Sequence, residues 1–325
     1  MLVLGIESTA HTFGIGIVDG KEKKVLFNEK SQFKNDVGMD PRKLSDFHVA
    51  NFEGVLKKAK EFLISIGKEF KDLDLISFSR GPGMGNALKI GSLVAKSLSV
   101  KYKIPIVGVN HIKAHLEIGK MLTGFSDPVF LYVSGVNTQI IAKDDFGKYK
   151  IYGETEDIGL GNLLDSFGRL IGFDFPAGPI IERVAKEGKN FLEVPMVIKG
   201  MNVSMAGIYS NLKTKFEKGE SREDLCFSLQ ESAFAQVLEV VERAIMYTQK
   251  KEFLIVGGVG ANSRLKEMAK GMCELRGIEF AKFDFQYVLD NGAMIAWEGF
   301  VDKDRASLNI SDLKPLPYIN VQSKI

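Results

Sequence analysis

The sequence predicts an α/β protein made of two related halves that face each other across a cleft. In the first half, two short apolar strands flank a small polar tip at residues 7–12, and a later buried strand runs into a glycine turn at 80–85. The second half repeats this order, with a tip at 134–137 and a glycine turn at 257–262. A repeated order of elements indicates duplication. Two such halves are expected to place four loops rich in Gly, Ser or Thr around the cleft.

The elements of the first half follow from apolar periodicity and from turn residues. The predicted strands are Leu2–Ile6, Gly14–Val18, Val25–Gln32, Leu73–Ser79 and Ile104–Val109. A polar loop at 34–41 precedes a long amphipathic helix over Lys43–Ile66, and a second helix follows the glycine turn and ends near Val100. A strand, a glycine turn and a helix in this order direct backbone N–H groups toward an anion. The turn has neither the dinucleotide-binding spacing nor the Walker spacing, so neither label applies.

The second half contains three predicted strands, four predicted helices and one irregular loop. The strands are Val129–Val133, Thr138–Ala142 and Phe253–Val256; the helices are Leu160–Gly172, Pro179–Gly188, Tyr209–Lys218 and Arg222–Gln249; the loop is Lys199–Gly207. A further helix opens at Asp290, whose simplest role is that of an N-cap. We expect a first domain over residues 1–125, completed by a C-terminal helix over 296–325, and a second domain over 126–295.

The composition is that of an ordinary globular protein, with 45% hydrophobic and 26% charged residues. No apolar run approaches 18 residues and the first strand starts at once, which predicts neither a membrane span nor a signal peptide. The two cysteines, Cys226 and Cys273, form no disulfide framework, so a reducing cytoplasm is expected. Residues 1–125 carry 19 Lys and Arg against 13 Asp and Glu, a mildly basic bias that suits a polyanion but also an ordinary solvated surface.

Two histidines four residues apart carry the clearest chemistry. If the segment from His111 to His115 is helical, the two imidazoles lie on one face, about 6 Å apart at Cβ. Two ring nitrogens at that spacing can reach one metal ion, and Asn110 is a good N-cap for such a helix. Two histidines on a helix surface would give the same pattern. Asp290, a carboxylate at another helix start, could supply the third ligand that the pair lacks.

Six motifs follow one another over nearly the whole chain. They are Gly5-Ile6-Glu7-Ser8-Thr9-Ala10, Gly81-Pro82-Gly83-Met84-Gly85, Asn110-His111 with His115-Leu116-Glu117-Ile118-Gly119, Tyr132-Val133-Ser134-Gly135, Gly257-Gly258-Val259 with Ala261-Asn262, and Asp290-Asn291-Gly292-Ala293-Met294-Ile295-Ala296. In this order they resemble the universal tRNA threonylcarbamoyltransferase family, the TsaD-like proteins. The resemblance is to the archaeal and eukaryotic form of the family, which is found in the KEOPS complex.

This resemblance implies the actin-like ATPase fold and one iron or zinc ion held by His111, His115 and Asp290, with Tyr132 close to the metal. It also implies transfer of a threonylcarbamoyl group from threonylcarbamoyl-AMP to N6 of the adenosine beside the anticodon of tRNA. The substrate and nucleotide contacts implied by the family are Ser8, Thr9, Tyr132, Val133, Ser134, Gly135, Val136, Asn137, Asp165, Gly178, Glu182 and Asn262. A general base is not obvious; Glu7 and His11 are the candidates nearest the phosphate loop.

The implied partners are tRNA, an atypical small kinase, a small dimeric scaffold protein and, functionally, the synthase that makes threonylcarbamoyl-AMP. Three departures from the family pattern affect the expected nucleotide pocket. Val136 replaces the second glycine of a pair, Ala177 replaces the first glycine of Pro-Gly-Gly-Pro, and Met205-Ala206 loses a hydroxyl. These changes predict altered nucleotide affinity or greater dependence on partners, and they leave open a diverged, inactive scaffold subunit.

Two other enzyme classes compete with this interpretation. A zinc peptidase would place a glutamate directly after the first histidine, where this chain has Ile112. A small-molecule kinase or ATPase could share the fold, because fold does not fix function, but such relatives have no histidine pair at this position.

Overall fold

The computed structural model describes residues 1–33, 40–281 and 284–323 of the 325-residue chain. The predicted polar loop at 34–41 lies mostly outside the described residues. The strands are β1 Leu2–Glu7, β2 Thr12–Asp19, β3 Lys24–Gln32, β4 Leu75–Gly81, β5 Ile106–Asn110, β6 Val129–Val133, β7 Thr138–Lys143, β8 Tyr149–Glu154, β9 Val197–Lys199, β10 Asn202–Ser204, β11 Glu252–Val256 and β12 Glu279–Phe280. The α-helices are α1 Pro41–Ser65, α2 Gly85–Tyr102, α3 His111–Thr123, α4 Leu160–Leu170, α5 Gly178–Ala185, α6 Ala206–Glu217, α7 Arg222–Thr248, α8 Ser263–Arg276, α9 Phe285–Val288 and α10 Gly292–Val301.

The chain divides into two compact units. Unit 1 contains Met1–Leu122 and Asp290–Ile325, and unit 2 contains Thr123–Leu289. Both units are mixed α/β, which confirms the predicted class. Within the described part of the chain, no helix is both long enough and apolar enough to span a membrane.

Unit 1 is built on a five-stranded sheet in the order β3-β2-β1-β4-β5. The first three strands are antiparallel, while β1, β4 and β5 run parallel to one another. Because parallel strands end at the same edge of a sheet, β1 and β5 bring the tip after Glu7 and the start of α3 to one edge.

Helix α10 packs directly on this sheet because glycines open the space for it. A Cβ built on Gly5 would lie 2.1 Å from the backbone nitrogen of Ala296, and one on Gly16 would lie 2.1 Å from that of Ala293. The Ser77 hydroxyl donates a hydrogen bond to the Ile295 carbonyl at 2.7 Å. These contacts fix the start of α10, and with it the segment that carries Asp290.

Unit 2 repeats the arrangement, with a sheet in the order β12-β11-β6-β7-β8. Strands β6, β7 and β8 form an antiparallel meander, and β11 pairs parallel to β6. The long helix α7 buries fifteen residues, including Leu229, Phe234 and Val241, in the core of the unit. The order of hairpin, helices, strand and glycine turn is therefore the same in both units.

Three local predictions need correction. The predicted loop Lys199–Gly207 contains most of a β9–β10 hairpin and the start of α6, because β10 continues into a bridge between Val203 and Thr155. Strands β8 and β12 were missing from the predicted elements. The predicted helix over 296–325 ends at Val301, and the residues from 306 to 323 form an irregular tail held by long-range hydrogen bonds.

Candidate metal centre and neighbouring loops

The two histidines lie at the beginning of α3, where β5 ends. Asn110 caps this helix as predicted: its Oδ1 accepts hydrogen bonds from the amides of Ile112 at 2.9 Å and Lys113 at 3.2 Å. The rings of His111 and His115 are buried and meet edge to face, with 4.8 Å between their centroids. The helix thus holds both Nε2 atoms on one side, as the i, i+4 spacing requires.

Asp290 joins the pair from the segment just before α10, 175 residues beyond His115. Its Oδ1 lies 3.1 Å from His115 Nε2 and 3.6 Å from His111 Nε2. Asn291, and not Asp290 as predicted, is the N-cap of α10, since the Asn291 side chain accepts from the Met294 amide at 3.0 Å. The Asp290 carboxylate is consequently left to face the imidazoles.

These three side chains form the one group of His, Cys, Asp and Glu in the described residues whose ligand atoms could hold a metal, all within 4.8 Å of one another. Ligand atoms about 2.0–2.1 Å from a tetrahedral metal are about 3.3 Å apart. The two separations to Asp290 Oδ1 bracket that value, so the residues fit an ion of the zinc or iron type.

Glu7 orients the first histidine. Its side chain is fully buried, and its Oε2 lies 3.0 Å from His111 Nδ1. A carboxylate on the second ring nitrogen fixes the tautomer of a metal-binding histidine and turns Nε2 toward the ion. Burial lowers the pKa of His111, but the nearby Glu7 carboxylate outweighs it and raises that pKa to about 9. The imidazoles opposite Asp290 hold its pKa well below the usual range despite its burial.

The tip of unit 1, residues 8–11, is closed around Glu7. The amide and the hydroxyl of Thr9 both donate to Glu7 Oε1, the amide at 2.6 Å. The Ser8 amide donates to Ser79 Oγ at 3.0 Å, and the Ser8 hydroxyl is buried where a Cβ on Gly91 would meet it at 2.0 Å. The Ser8 amide and both donors of Thr9 are therefore bonded inside the unit, and the Ser8 hydroxyl is enclosed there.

The two candidate bases differ in exposure. Glu7 is enclosed by Thr9 and His111, which argues against its predicted role as a base acting on substrate. His11 is half-buried and close enough for its charge to lower the pKa of Asp290.

The amides of Gly83 and Met84 in the glycine turn of unit 1 are also hydrogen-bonded within the unit. The Met84 amide donates to the Thr9 carbonyl at 2.8 Å, and the Gly83 amide donates to the Pro317 carbonyl at 3.2 Å. A Cβ on Gly83 would lie 2.7 Å from the Thr9 carbonyl oxygen. Glycine is needed here for close packing of backbone against backbone.

The tip of unit 2, residues 134–137, is open. Tyr132 and Val133 are buried at the end of β6, whereas Gly135 and Val136 are exposed, Val136 to 67%. The tip rests on the start of α4: the amides of Gly161 and Asn162 donate to the carbonyls of Ser134 and Gly135 at 3.1 and 2.8 Å. Within the described part of the chain, the amides of Gly135 and Val136 have no partner. The Asn137 amide donates to Ser134 Oγ at 3.0 Å.

The remaining predicted contacts of unit 2 have partners of their own. The Asp165 carboxylate accepts from the Ala177 amide at 2.8 Å and also from that of Gly178, and burial nevertheless raises its pKa. Glu182 accepts from the amide and the hydroxyl of Ser263. Asn262 caps α8 by accepting from Leu265 and donates to Gln230 Oε1 at 2.8 Å.

Sequence reasoning missed Lys30 and Asn320. The Lys30 ammonium on β3 donates to the Asp290 carbonyl at 3.1 Å, and the Asn320 carbonyl accepts from Asn110 Nδ2 at 2.8 Å. Each of these two residues is more than 200 residues away in sequence from its hydrogen-bond partner, and neither belongs to a motif that would single it out.

Two duplicated α/β units with a buried histidine–carboxylate group define an actin-like ATPase fold with a candidate metal centre. The fold is shared with full-length HypF in its phosphate- and nucleotide-bound form, at a TM-score of 0.65 and 12% identity over 94% of this chain and 46% of that one. It is also shared with the activator of 2-hydroxyisocaproyl-CoA dehydratase from Clostridium difficile, at a TM-score of 0.56 and 12% identity over 94% and 96%. The predicted fold is thus confirmed.

Residues 23–297 match the family described as TsaD, tRNA N6-adenosine threonylcarbamoyltransferase. The protein of that name from Thermococcus kodakarensis is 48% identical over 92% of this chain and 90% of its own. A probable bifunctional tRNA threonylcarbamoyladenosine biosynthesis protein from Methanocaldococcus jannaschii is 42% identical over 98% of this chain and 58% of its own. The chain belongs to the TsaD family of tRNA N6-adenosine threonylcarbamoyltransferases, which confirms the resemblance and places it among tRNA-modifying transferases.

Proposed function

We propose that this chain transfers the threonylcarbamoyl group from threonylcarbamoyl-AMP to N6 of the adenosine next to the anticodon of tRNA. The observation that carries the proposal is the convergence of His111, His115 and Asp290 in a member of the TsaD family. In the reaction, a bond forms between N6 and the carbamoyl carbon, the bond from that carbon to the AMP phosphate breaks, and N6 loses a proton.

His111, His115 and Asp290 would hold one iron or zinc ion, with Tyr132 as a further candidate ligand. When bound, such an ion supplies Lewis acidity and a fixed point for orienting the acyl-adenylate. Glu7 holds His111 in position through Nδ1 and so acts on the metal ligand and not on N6. His11 remains the candidate that could receive the N6 proton.

We assign AMP to unit 2. The exposed amides of Gly135 and Val136 are donors suited to a phosphate, and Ser134 and Asn137 hold the tip in shape. Asp165, Gly178, Glu182 and Asn262 are the proposed contacts to the sugar and base. Stabilising the phosphate as it leaves would lower the barrier to acyl transfer.

The proposed setting is the cytoplasm, which suits two reduced, buried cysteines. The proposed partners are tRNA, an atypical small kinase, a small dimeric scaffold protein of the KEOPS type and, functionally, the synthase that forms threonylcarbamoyl-AMP. The printed name of the Methanocaldococcus jannaschii relative, a bifunctional biosynthesis protein for this tRNA modification, supports the tRNA substrate.

Reconstitution tests the proposal. The chain is combined with tRNA, threonine, bicarbonate, ATP, the synthase and the partner proteins, and modified adenosine is measured in digested tRNA. We expect modification by the wild type and a loss of at least a hundredfold in Asp290→Asn, with about one iron or zinc per wild-type chain. The exposed Asp46→Asn is the matched control and should retain activity. Phosphorylation of a small molecule by a protein that cannot modify tRNA would contradict the assignment.

A further inference from the structure

The C-terminal tail, residues 306–323, lies along the edge strand of the sheet in unit 1. It begins by pairing with β5: the Ile106 amide donates to the Ser307 carbonyl at 2.9 Å, and the Ser307 amide donates back at 3.1 Å. Because β5 is the last strand in the sheet order, the tail covers the start of an otherwise open edge.

Further along, the tail is attached to the residues that end β4. The Arg80 guanidinium donates to the carbonyls of Asp312 and Lys314 at 2.7 and 2.8 Å, and the Leu316 amide donates to the Arg80 carbonyl at 2.7 Å. The approach is so close that a Cβ on Gly81 would lie 1.9 Å from the Leu316 carbonyl oxygen. Glycine is the residue that permits backbone contact of this kind.

The last attachment reaches the histidine helix. Val321 is 1% exposed, which anchors the end of the tail, and the carbonyl of the preceding residue, Asn320, accepts from Asn110 Nδ2 at 2.8 Å. The Oδ1 of the same Asn110 side chain caps α3 immediately before His111. One buried amide thus joins the tail to the first turn of the helix that carries both imidazoles.

The chemistry of position 110 separates this link from ordinary capping. A cap needs only an acceptor, so Ser, Thr or Asp would serve as well as Asn. A carboxylate can only accept, whereas an amide has separate atoms that accept from the helix on one side and donate to a carbonyl on the other. Aspartate at this position would set a carboxylate oxygen against the Asn320 carbonyl oxygen and lose the bond.

We infer that Asn110 is a positioning residue and that, through it, the C-terminal tail sets the orientation of the histidine helix and therefore the geometry of the metal ligands. This inference rests on the proposed metal centre. The tail also supports the tip of unit 1, because the Pro317 carbonyl holds Gly83, whose neighbour Met84 donates to Thr9.

The test uses two full-length variants that act on opposite ends of the link. Asn110→Asp keeps the cap and removes the donor, and Val321→Asp expels the end of the tail. Zn²⁺ alone is titrated into apoprotein against a chelating dye, and native-state hydrogen exchange is followed over residues 111–116. We expect each variant to bind Zn²⁺ about tenfold more weakly and Val321→Asp to raise exchange in the first turn of α3. Since both act through one contact, the double variant should be no weaker than the worse single variant.

Ala244→Gly is the control for loss of stability alone, because it weakens a buried position of α7 in the core of unit 2, whereas the tail and α3 up to Leu122 belong to unit 1. This variant should lower the melting temperature and leave the Zn²⁺ affinity unchanged. The inference would be overturned if Asn110→Asp bound Zn²⁺ as tightly as the wild type and Val321→Asp showed wild-type hydrogen exchange over residues 111–116. That result would leave the proposed metal centre intact. A wild-type chain that binds no Zn²⁺ would instead overturn the proposed centre, and the exchange data would then decide the link by themselves.

Discussion

The tips of the two hairpins occupy corresponding places in the two units and end in opposite states. In unit 1, the amides of Ser8 and Thr9 are bonded to Ser79 and Glu7 inside the fold. In unit 2, Gly135 and Val136 are exposed. Their amides have no hydrogen-bond partner among the described residues and are available to a ligand. One tip helps to support His111, a proposed metal ligand, while the other has the open backbone that suits a phosphate.

The difference follows from where the bracing carboxylate lies. Glu7 ends β1 directly before the tip of unit 1, so it takes up the Thr9 donors of that tip and holds His111 with its second oxygen. In unit 2 the comparable carboxylate, Asp157, lies outside the tip and accepts from the amides of Ile158, Met205 and Ala206, so it holds the segment before α4 and not the tip itself. An acid that braces from outside leaves the loop free to bind.

The largest expected effect is in unit 1, from Glu7→Gln. A glutamine has one acceptor oxygen in place of two, so either Thr9 or His111 loses its partner, and a neutral group no longer favours the metal-binding tautomer. We expect Zn²⁺ affinity to fall 10–100-fold, measured by chelator competition, with a parallel loss of tRNA modification. Glu29→Gln on the exposed side of β3 is the matched control. Unchanged Zn²⁺ binding in Glu7→Gln would show that the closed tip does not serve the metal.

The second prediction concerns the open tip. Val136→Glu places a negative charge beside the proposed phosphate and should weaken AMP binding about tenfold, measured by calorimetry, without affecting Zn²⁺. Val136→Gly restores the glycine usual at this position and should strengthen binding. The exposed Phe146→Glu in the neighbouring turn controls for added charge. Equal AMP affinity in both Val136 variants would show that the phosphate does not bind at this tip.

A smaller effect separates the serines of the two tips. Among the described residues the buried Ser8 hydroxyl has no hydrogen-bond partner, so Ser8→Ala should change the free energy of unfolding by less than about 1 kcal/mol and leave AMP binding intact. Ser134→Ala removes the bond from the Asn137 amide, costs about 1 kcal/mol, and should weaken AMP binding a few-fold. Urea unfolding and calorimetry measure both. Weaker AMP binding in Ser8→Ala than in Ser134→Ala would reverse the comparison.

The sequence predicted the elements that depend on local patterns. Strand alternation gave the two hairpins, and the i, i+4 spacing of His111 and His115 predicted the shared face that the structure shows. At Asp290 and Asn291, two good capping residues stand side by side, and local rules do not choose between them. In the structure Asn291 is the N-cap of α10. The Asp290 carboxylate is therefore not used for capping and can contact the imidazoles.

Whether the donors of a tip are bonded inside the unit or left exposed could not be predicted, because this depends on hydrogen-bond partners far along the chain. Ser79, which takes the Ser8 amide, is 71 residues away, and Gly91, which leaves room for the Ser8 hydroxyl, comes later still. A short tip rich in hydroxyl groups therefore predicts available donors whether or not tertiary packing uses them. The same reason explains the missed tail, where the bond from Asn110 to Asn320 spans 210 residues.

The smallest expected effect tests the outside brace of unit 2. Burial raises the pKa of Asp157, but the Ser204 hydroxyl and the amides of Met205, Ala206 and Ile158 outweigh it and lower that pKa to about 2. Because the folded pKa lies below the unfolded value of about 3.9, the stabilisation is present above about pH 4 and is lost as the pH falls through about 2. Asp157→Asn should lack this acid dependence, a difference of about 1 kcal/mol after allowing for the exposed position.

Unfolding in urea at pH 6 and at pH 2.5 measures this difference, with the exposed Asp174→Asn as control. The start of α4 lies under the tip: a Cβ on Gly159 would be 2.2 Å from the Val136 carbonyl oxygen. Loosening the Asp157 brace should therefore also weaken AMP binding slightly, whereas Zn²⁺ binding in unit 1 should stay the same. An Asp157→Asn protein that keeps the full acid dependence of the wild type would show that the open tip is braced by other contacts, and the contrast between an inside and an outside carboxylate would then fail.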